Sequence, residues 1–126
     1  MPDVRTVLVV EDDALIALSL KMTVEDLGYS VCGIADTAAA AVAIARRERP
    51  DVVLMDVRLR GRGDGVDAAL AMHEDSAPHI IFITGSNEPE TRARIEEDHA
   101  SALLIKPILP AQLDAALRGV LSQPSP

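Results

Sequence analysis

The sequence predicts an α/β fold: a single doubly wound domain of five strand–helix units around a central five-stranded parallel sheet. Two observations carry this expectation. Apolar runs rich in Val, Ile and Leu alternate along the chain with segments of helical spacing. The length of 126 residues fits one domain, and 48% apolar residues can fill one core without disulfides or a structural metal.

The elements follow in order. Thr6–Val10 is apolar without alternation, as suits a strand buried on both faces. In Leu15–Leu27, the positions Leu15, Leu18 and Met22, with Ile16, Leu20, Val24 and Leu27, form a wide apolar stripe, and Gly28 is the expected helix stop. Tyr29–Ala35 is a weaker strand. Thr37–Arg47 is an alanine-rich helix closing on Arg46, Arg47 and Arg49, cations that suit the negative end of a helix dipole. Val52–Met55 is the third strand, and Asp64 is the expected cap of a third helix running through His73. Ile80–Ile83 is the fourth strand. Asn87-Glu88-Pro89-Glu90 has the pattern of a capping box that opens a fourth helix. Beyond Pro89 that helix carries only Ala93 and Ile95 as apolar side chains before His99, so it is either a solvated surface helix or an element that shifts at low cost. Ala102–Ile105 is the fifth strand. Pro110 opens a fifth helix, with Leu113, Leu117 and Val120 on one face. Residues 1–121 are expected to be the domain and 122–126 a frayed tail, with no output domain attached.

Composition narrows the function classes. Lys and Arg number 12 and Asp and Glu 20, giving a net charge of −8. Such a domain repels nucleic acid and anionic membrane unless it carries a local basic patch, so neither is an expected partner. The longest apolar runs are too short to span a bilayer, and the N-terminus lacks the zones of a signal peptide. The single cysteine, Cys32, excludes an intramolecular disulfide and fits a reducing, cytoplasmic setting. His73, His79 and His99 are not spaced as a metal set.

In an open parallel sheet, ligands gather at the carboxyl ends of the strands. There the chain places Glu11, Asp12 and Asp13 after the first strand, Asp56 after the third, Thr84 after the fourth and Lys106-Pro107 after the fifth. Carboxylates packed together repel, so some must be protonated, paired with a cation or bound to a metal. All-oxygen ligands select a hard cation such as Mg²⁺, which bridges carboxylates and phosphoryl oxygens while a carboxylate such as Asp56 attacks phosphorus. Lys106 offers a positive charge to the same oxygens and Thr84 a hydroxyl. Singly, each residue has a duller role: Asp12 or Asp13 as a helix cap, Asp56 in a turn, Thr84 as a strand-end hydroxyl, Lys106 as a partner for any acid. Four strand ends carrying complementary groups are improbable as coincidence.

These residues resemble a family. Val-Val-Glu11-Asp12-Asp13, Leu54-Met55-Asp56-Val57-Arg58-Leu59, Phe82-Ile83-Thr84-Gly85 and Lys106-Pro107 together look like a bacterial two-component response regulator receiver domain. The spacings, 44 residues from Asp12 to Asp56 and 22 from Thr84 to Lys106, agree with it. The resemblance implies a sheet of flavodoxin or receiver type with strand order 2-1-3-4-5. It implies that Asp56 is the phosphoacceptor, charged by a histidine kinase or a histidine phosphotransfer protein. Asp12 and Asp56, with Glu11 and the backbone carbonyl of Arg58, would hold Mg²⁺. Thr84 and Lys106 would bind the phosphoryl group, Lys106–Pro107 would be cis, and Asp13 would cap the first helix. The downstream partner is a protein the sequence does not name.

Two departures bear on mechanism. Receivers commonly carry Tyr or Phe three residues before the lysine, where this chain has Leu103; the whole chain has only Tyr29 and Phe82 as aromatics. The loop after Asp56 has Arg60 near the usual proline and is one residue longer before Asp64-Gly65. With Phe82-x-Thr84-Gly85, these features resemble stand-alone receivers of alphaproteobacterial type that lack the aromatic switch. Signalling is then expected through Thr84, the Gly85–Asn87 loop and the polar fourth helix. Arg58, Arg60 and Arg62 either guide an anionic donor or are merely solvated. The leading function is a phosphorylation-dependent switch in protein–protein interactions. The alternatives are a phosphate sink or relay and a Mg²⁺-dependent phosphohydrolase with Asp56 as nucleophile. Against the enzyme, the place two residues after Asp56 holds Arg58 instead of a second acid.

Overall fold

The apolar runs form the strands β1 (Thr6–Val10), β2 (Ser30–Ala35), β3 (Val52–Asp56), β4 (His79–Thr84) and β5 (Ala102–Ile105). Between and after them lie the helices α1 (Ala14–Asp26), α2 (Ala38–Glu48), α3 (Gly65–Asp75) and α4 (Pro110–Leu121). The structure, a computed structural model, describes residues 5–59, 61–75, 77–85, 93 and 102–122. The polar helix expected between Glu88 and His99, its capping box and the 123–126 tail fall outside the described residues, apart from Ala93.

All strand pairs are parallel and the sheet runs β2-β1-β3-β4-β5, the order expected. β3 and β4 are buried along their whole length, which explains why their sequences show no polar alternation. Because successive strand residues point to opposite faces, the core divides in two. On one face Leu8, Val53, Met55, Ile80 and Phe82 pack against Ala41 and Ala45 of α2 and Ala69 and Met72 of α3. On the other, Val7, Val9, Leu54, Ile81 and Ile83 pack against Ala17 and Val24 of α1 and Leu113, Leu117 and Val120 of α4.

The wide apolar stripe of α1 is split by the packing. Val24, with Ala17 from outside the expected stripe, is buried against the sheet, whereas Leu15, Leu18 and Met22 are exposed, Leu15 to 79%. At 100° per residue these three lie about 100° or more round the helix from Ala17 and Val24, so one helix cannot bury both sets against a single sheet. Arg46 and Arg47 lie in the last turn of α2, where the dipole reading expects cations, and they also find local partners. Arg46 pairs with Asp75 at the end of α3, Arg47 pairs with its neighbour Glu48, and Arg49 takes the left-handed capping conformation at φ 48°.

Local capping follows the sequence closely. Asp13 caps α1, accepting from the N–H groups of Leu15 at 2.9 Å and Ile16 at 3.1 Å. Asp64 caps α3 by accepting from Asp67 N–H at 3.0 Å, and Asp67 returns the bond to Asp64 N–H at 2.9 Å. Gly28 ends the α1 region with φ 99°. Cys32 is the extra residue of a bulge in edge strand β2, since Val31 pairs with Val7 and Gly33 with Leu8. It is half-buried on the first core cluster, and burial pushes its thiol pKa up.

Gly65 has the tightest surroundings. Its N–H donates to Val57 O at 2.7 Å, and a Cβ there would lie 2.1 Å from the carbonyl oxygen of Asp56 and 2.9 Å from Met55 Cγ. The backbone of α3 thus rests directly on the end of β3. Gly65→Ala is expected to destabilise the fold by about 3 kcal/mol in urea denaturation, since backbone must move. Gly119→Ala, at a position on α4 where no other described residue would lie within 4 Å of the added Cβ, is expected to stabilise by about 0.5–1 kcal/mol in the same measurement.

Candidate functional site

The carboxyl ends of β1, β3, β4 and β5 bring four of the side chains expected at the site, Glu11, Asp56, Thr84 and Lys106, to one edge. Glu11 follows β1 and extends its ladder, its N–H donating to Ala35 O at 2.9 Å. Lys106 follows β5 in the same manner, its N–H donating to Thr84 O at 2.8 Å. Both residues are therefore fixed by sheet hydrogen bonds one step past the assigned strands. Asp56 is the last residue of β3 and pairs in register with Ile83, which sets it beside Thr84 at the end of β4.

Glu11 is 2% exposed, Asp56 is 6% exposed and Thr84 is buried. The Lys106 ammonium bridges the two acids, 2.8 Å from Glu11 Oε1 and 3.2 Å from Asp56 Oδ2. Their remaining oxygens are held by backbone: Glu11 Oε2 accepts from Asp13 N–H at 3.1 Å, and Asp56 Oδ1 from Arg58 N–H at 3.3 Å. Burial works against the charge on Lys106. The hydrogen bond to Glu11 and the charge of Asp56 outweigh it and hold the lysine pKa above its ordinary value.

Asp12 is half-buried at the rim. One carboxylate oxygen each from Glu11, Asp12 and Asp56 lies within 4.8 Å of the others. Three carboxylates and one ammonium leave a net charge of −2, and the donors are all oxygen, the chemistry that suits a hard divalent cation. Asp13 turns away as the helix cap, as expected. Lys106–Pro107 is cis. The Arg58 side chain is exposed, and Leu103 is half-buried opposite Phe82 in the sheet register.

Gly65 was not among the expected site residues although it supports Asp56 from below; its only sequence signal is the Asp-Gly step that opens α3. The expected route out of the site through Asn87 and the polar helix falls outside the described residues, and so does Arg60.

The sequence profile of the response regulator receiver domain matches residues 7–118. The chain belongs to this family. The receiver is 33% identical over 119 residues to the transcriptional regulatory protein PdtaR of Mycobacterium tuberculosis, covering 94% of this chain and 58% of that one. It is 35% identical over 116 residues to the phyllosphere-induced regulator PhyR of Methylorubrum extorquens, covering 91% and 43%. The receiver thus spans about half the length of these relatives. Among solved structures it is similar to the signal receiver domain of a modulated diguanylate cyclase from Desulfovibrio desulfuricans G20. That match has a TM-score of 0.87 and 35% identity, covering 96% of this chain and all of the other. Among the described residues, no helix is long and apolar enough to cross a membrane.

The raised pKa of Lys106 has a defined consequence for stability. A folded-state pKa above the unfolded value contributes stability that is fully present below the ordinary lysine value of 10.5 and is lost as pH rises through the higher folded value. In metal-free protein, the urea midpoint of wild type is expected to exceed that of Lys106→Met by a constant margin from pH 6 to about 9. The margin should narrow only at more alkaline pH.

Proposed function

We propose that the receiver accepts a phosphoryl group on Asp56 from a phosphohistidine of a histidine kinase or histidine phosphotransfer protein, with Mg²⁺, and signals by changing its protein–protein interactions. The observation that carries this reading is the meeting of Asp56 with Glu11, Asp12 and Lys106 at one edge of the sheet. The transfer breaks the donor's P–N bond, returns that electron pair to the imidazole and forms a P–O bond to an Asp56 carboxylate oxygen. Glu11, Asp12 and Asp56, with the Arg58 carbonyl, would hold the Mg²⁺, whose positive charge offsets that of the phosphoryl oxygens. Thr84 and Lys106 bind those oxygens from the β4 and β5 ends. Lys106 is suited to this because its nitrogen already touches Asp56 Oδ2.

The exposed stripe of α1 supports a protein donor. Leu15 and Ile16 border a groove of about 500 Å³ whose other walls include Leu20, Ile83, Pro107 and Ile108, and whose one charged member among the described residues is Lys106. An apolar helix seated there would end beside the acids. Leu103, in place of an aromatic, supports a signal that leaves through Thr84 and the loop beyond Gly85. Arg58 two residues beyond Asp56 supports a binding switch over hydrolysis of an organic phosphate, for which a general acid is wanted. The lone half-buried Cys32 fits a cytoplasmic setting.

Intact mass after incubation with Mg²⁺ and a small acyl phosphate is the direct test; the chain has no tryptophan to report by fluorescence. One phosphoryl adduct is expected, dependent on Mg²⁺ and absent in Asp56→Asn. A persistent adduct in that variant would refute Asp56 as acceptor. Leu18→Glu is expected to slow transfer from a phosphorylated donor protein about tenfold more than transfer from the small donor, because a charge on the docking face is desolvated only by the protein.

A further inference from the structure

Lys106 stands on ground that a divalent cation would also use. Its ammonium lies 2.8 Å from Glu11 Oε1 and 3.2 Å from Asp56 Oδ2, and these acids are two of the three whose oxygens converge within 4.8 Å. Glu11 has little freedom to serve both cations at once. It is almost wholly buried, and its second oxygen already accepts the Asp13 N–H that opens the α1 turn. An ion among these carboxylates is attracted by three negative charges and repelled by the ammonium that neutralises one of them. Its entry also costs the lysine its shortest contact.

We propose that Lys106 is a resident placeholder cation that sets the receiver's affinity for its divalent ion, holding Glu11 and Asp56 together in the metal-free protein and giving up Glu11 when the ion binds. This inference rests on the reading of Glu11, Asp12 and Asp56 as a cation site. It adds a role for the lysine that precedes any phosphoryl group. The buried acids stay paired while the site is empty, so the pocket keeps its shape. The ion is correspondingly held more loosely than three carboxylates alone would hold it. Were Lys106 only an anchor for the end of β5, removing its charge would leave cation affinity unchanged or lower it as the pocket loosened.

Calorimetric titration with MgCl₂ separates these cases, comparing wild type, Lys106→Met and Lys21→Met. Lys21 lies two turns into α1 and controls for the change in net charge. Lys106→Met is expected to bind Mg²⁺ about tenfold more tightly than wild type and Lys21→Met to differ by less than about twofold. Affinity in Lys106→Met equal to or weaker than wild type overturns the inference and leaves the cation site standing. Absence of saturable binding in every protein overturns the cation site and the inference with it. A second measurement needs no variant. The chain has two lysines, Lys21 and Lys106, so ¹³Cε-lysine-labelled wild type gives two side-chain signals. Mg²⁺ should move the Lys106 signal and leave Lys21 in place; a Lys106 signal unmoved at saturation overturns the proposal.

Discussion

Two carboxylates buried at the ends of adjacent strands, Glu11 and Asp56, set the constraint around which the molecule is arranged. Removing an ion from water costs several kcal/mol unless a counter-charge and hydrogen bonds replace the solvent. Here the replacement comes from Lys106 and from backbone N–H groups of Asp13 and Arg58. A buried ion pair of this sort adds little net stability over an apolar isostere. Its presence at the ligand-binding edge of the sheet is therefore better explained by chemistry than by folding. On the proposed function, the same contacts keep Glu11 and Asp56 aimed before a cation or a phosphoryl group arrives.

The sheet supplies the aim. Glu11 and Lys106 are each tied by a backbone hydrogen bond to a neighbouring strand beyond its formal end, so their positions are inherited from the sheet register. Rigid elements hold a site more precisely than loops do. Small residues allow the layers to close on it: Ala41, Ala45 and Ala69 bring α2 and α3 near the sheet, and Gly65 lets α3 begin against the Asp56 carbonyl. Asp56 is thus held from its own strand, from the neighbouring strands and from the helix that follows it.

The face of α1 turned from the sheet shows the opposite economy. Leu15, Leu18 and Met22 stay in water although the helix already has an apolar face in the core. Single exposed apolar residues are ordinary, but a row of them beside a charged pocket marks a surface meant to be covered. Fold stability does not require the row, which is the surface proposed above to receive a phosphodonor protein.

Most of the architecture could be read from residue order. Uninterrupted Val, Ile and Leu runs marked buried parallel strands because no face of such a strand meets water. Asp13 and Asp64 announced helix starts because a short polar side chain satisfies the orphan N–H groups there, and Thr37 proves to do the same for α2. The positions of Asp12, Asp56, Thr84 and Lys106 after their strands anticipated that they meet at one edge, since strand ends of a doubly wound sheet converge. Other features depended on distances across the fold. Period alone could not say which half of the α1 stripe meets the sheet, because Ala17 and Leu15 are both compatible with a helix face. Nor could it say that Arg46 seeks Asp75, or that Lys106 spans Glu11 and Asp56 together. Gly65 reads as a turn residue in one dimension and becomes a packing requirement only when β3 and α3 are in place. Local periodicity and capping act within a few residues, and the sequence carries them alone; choices among equivalent faces and partners are made by the tertiary structure, because only there do distant residues compete for the same space.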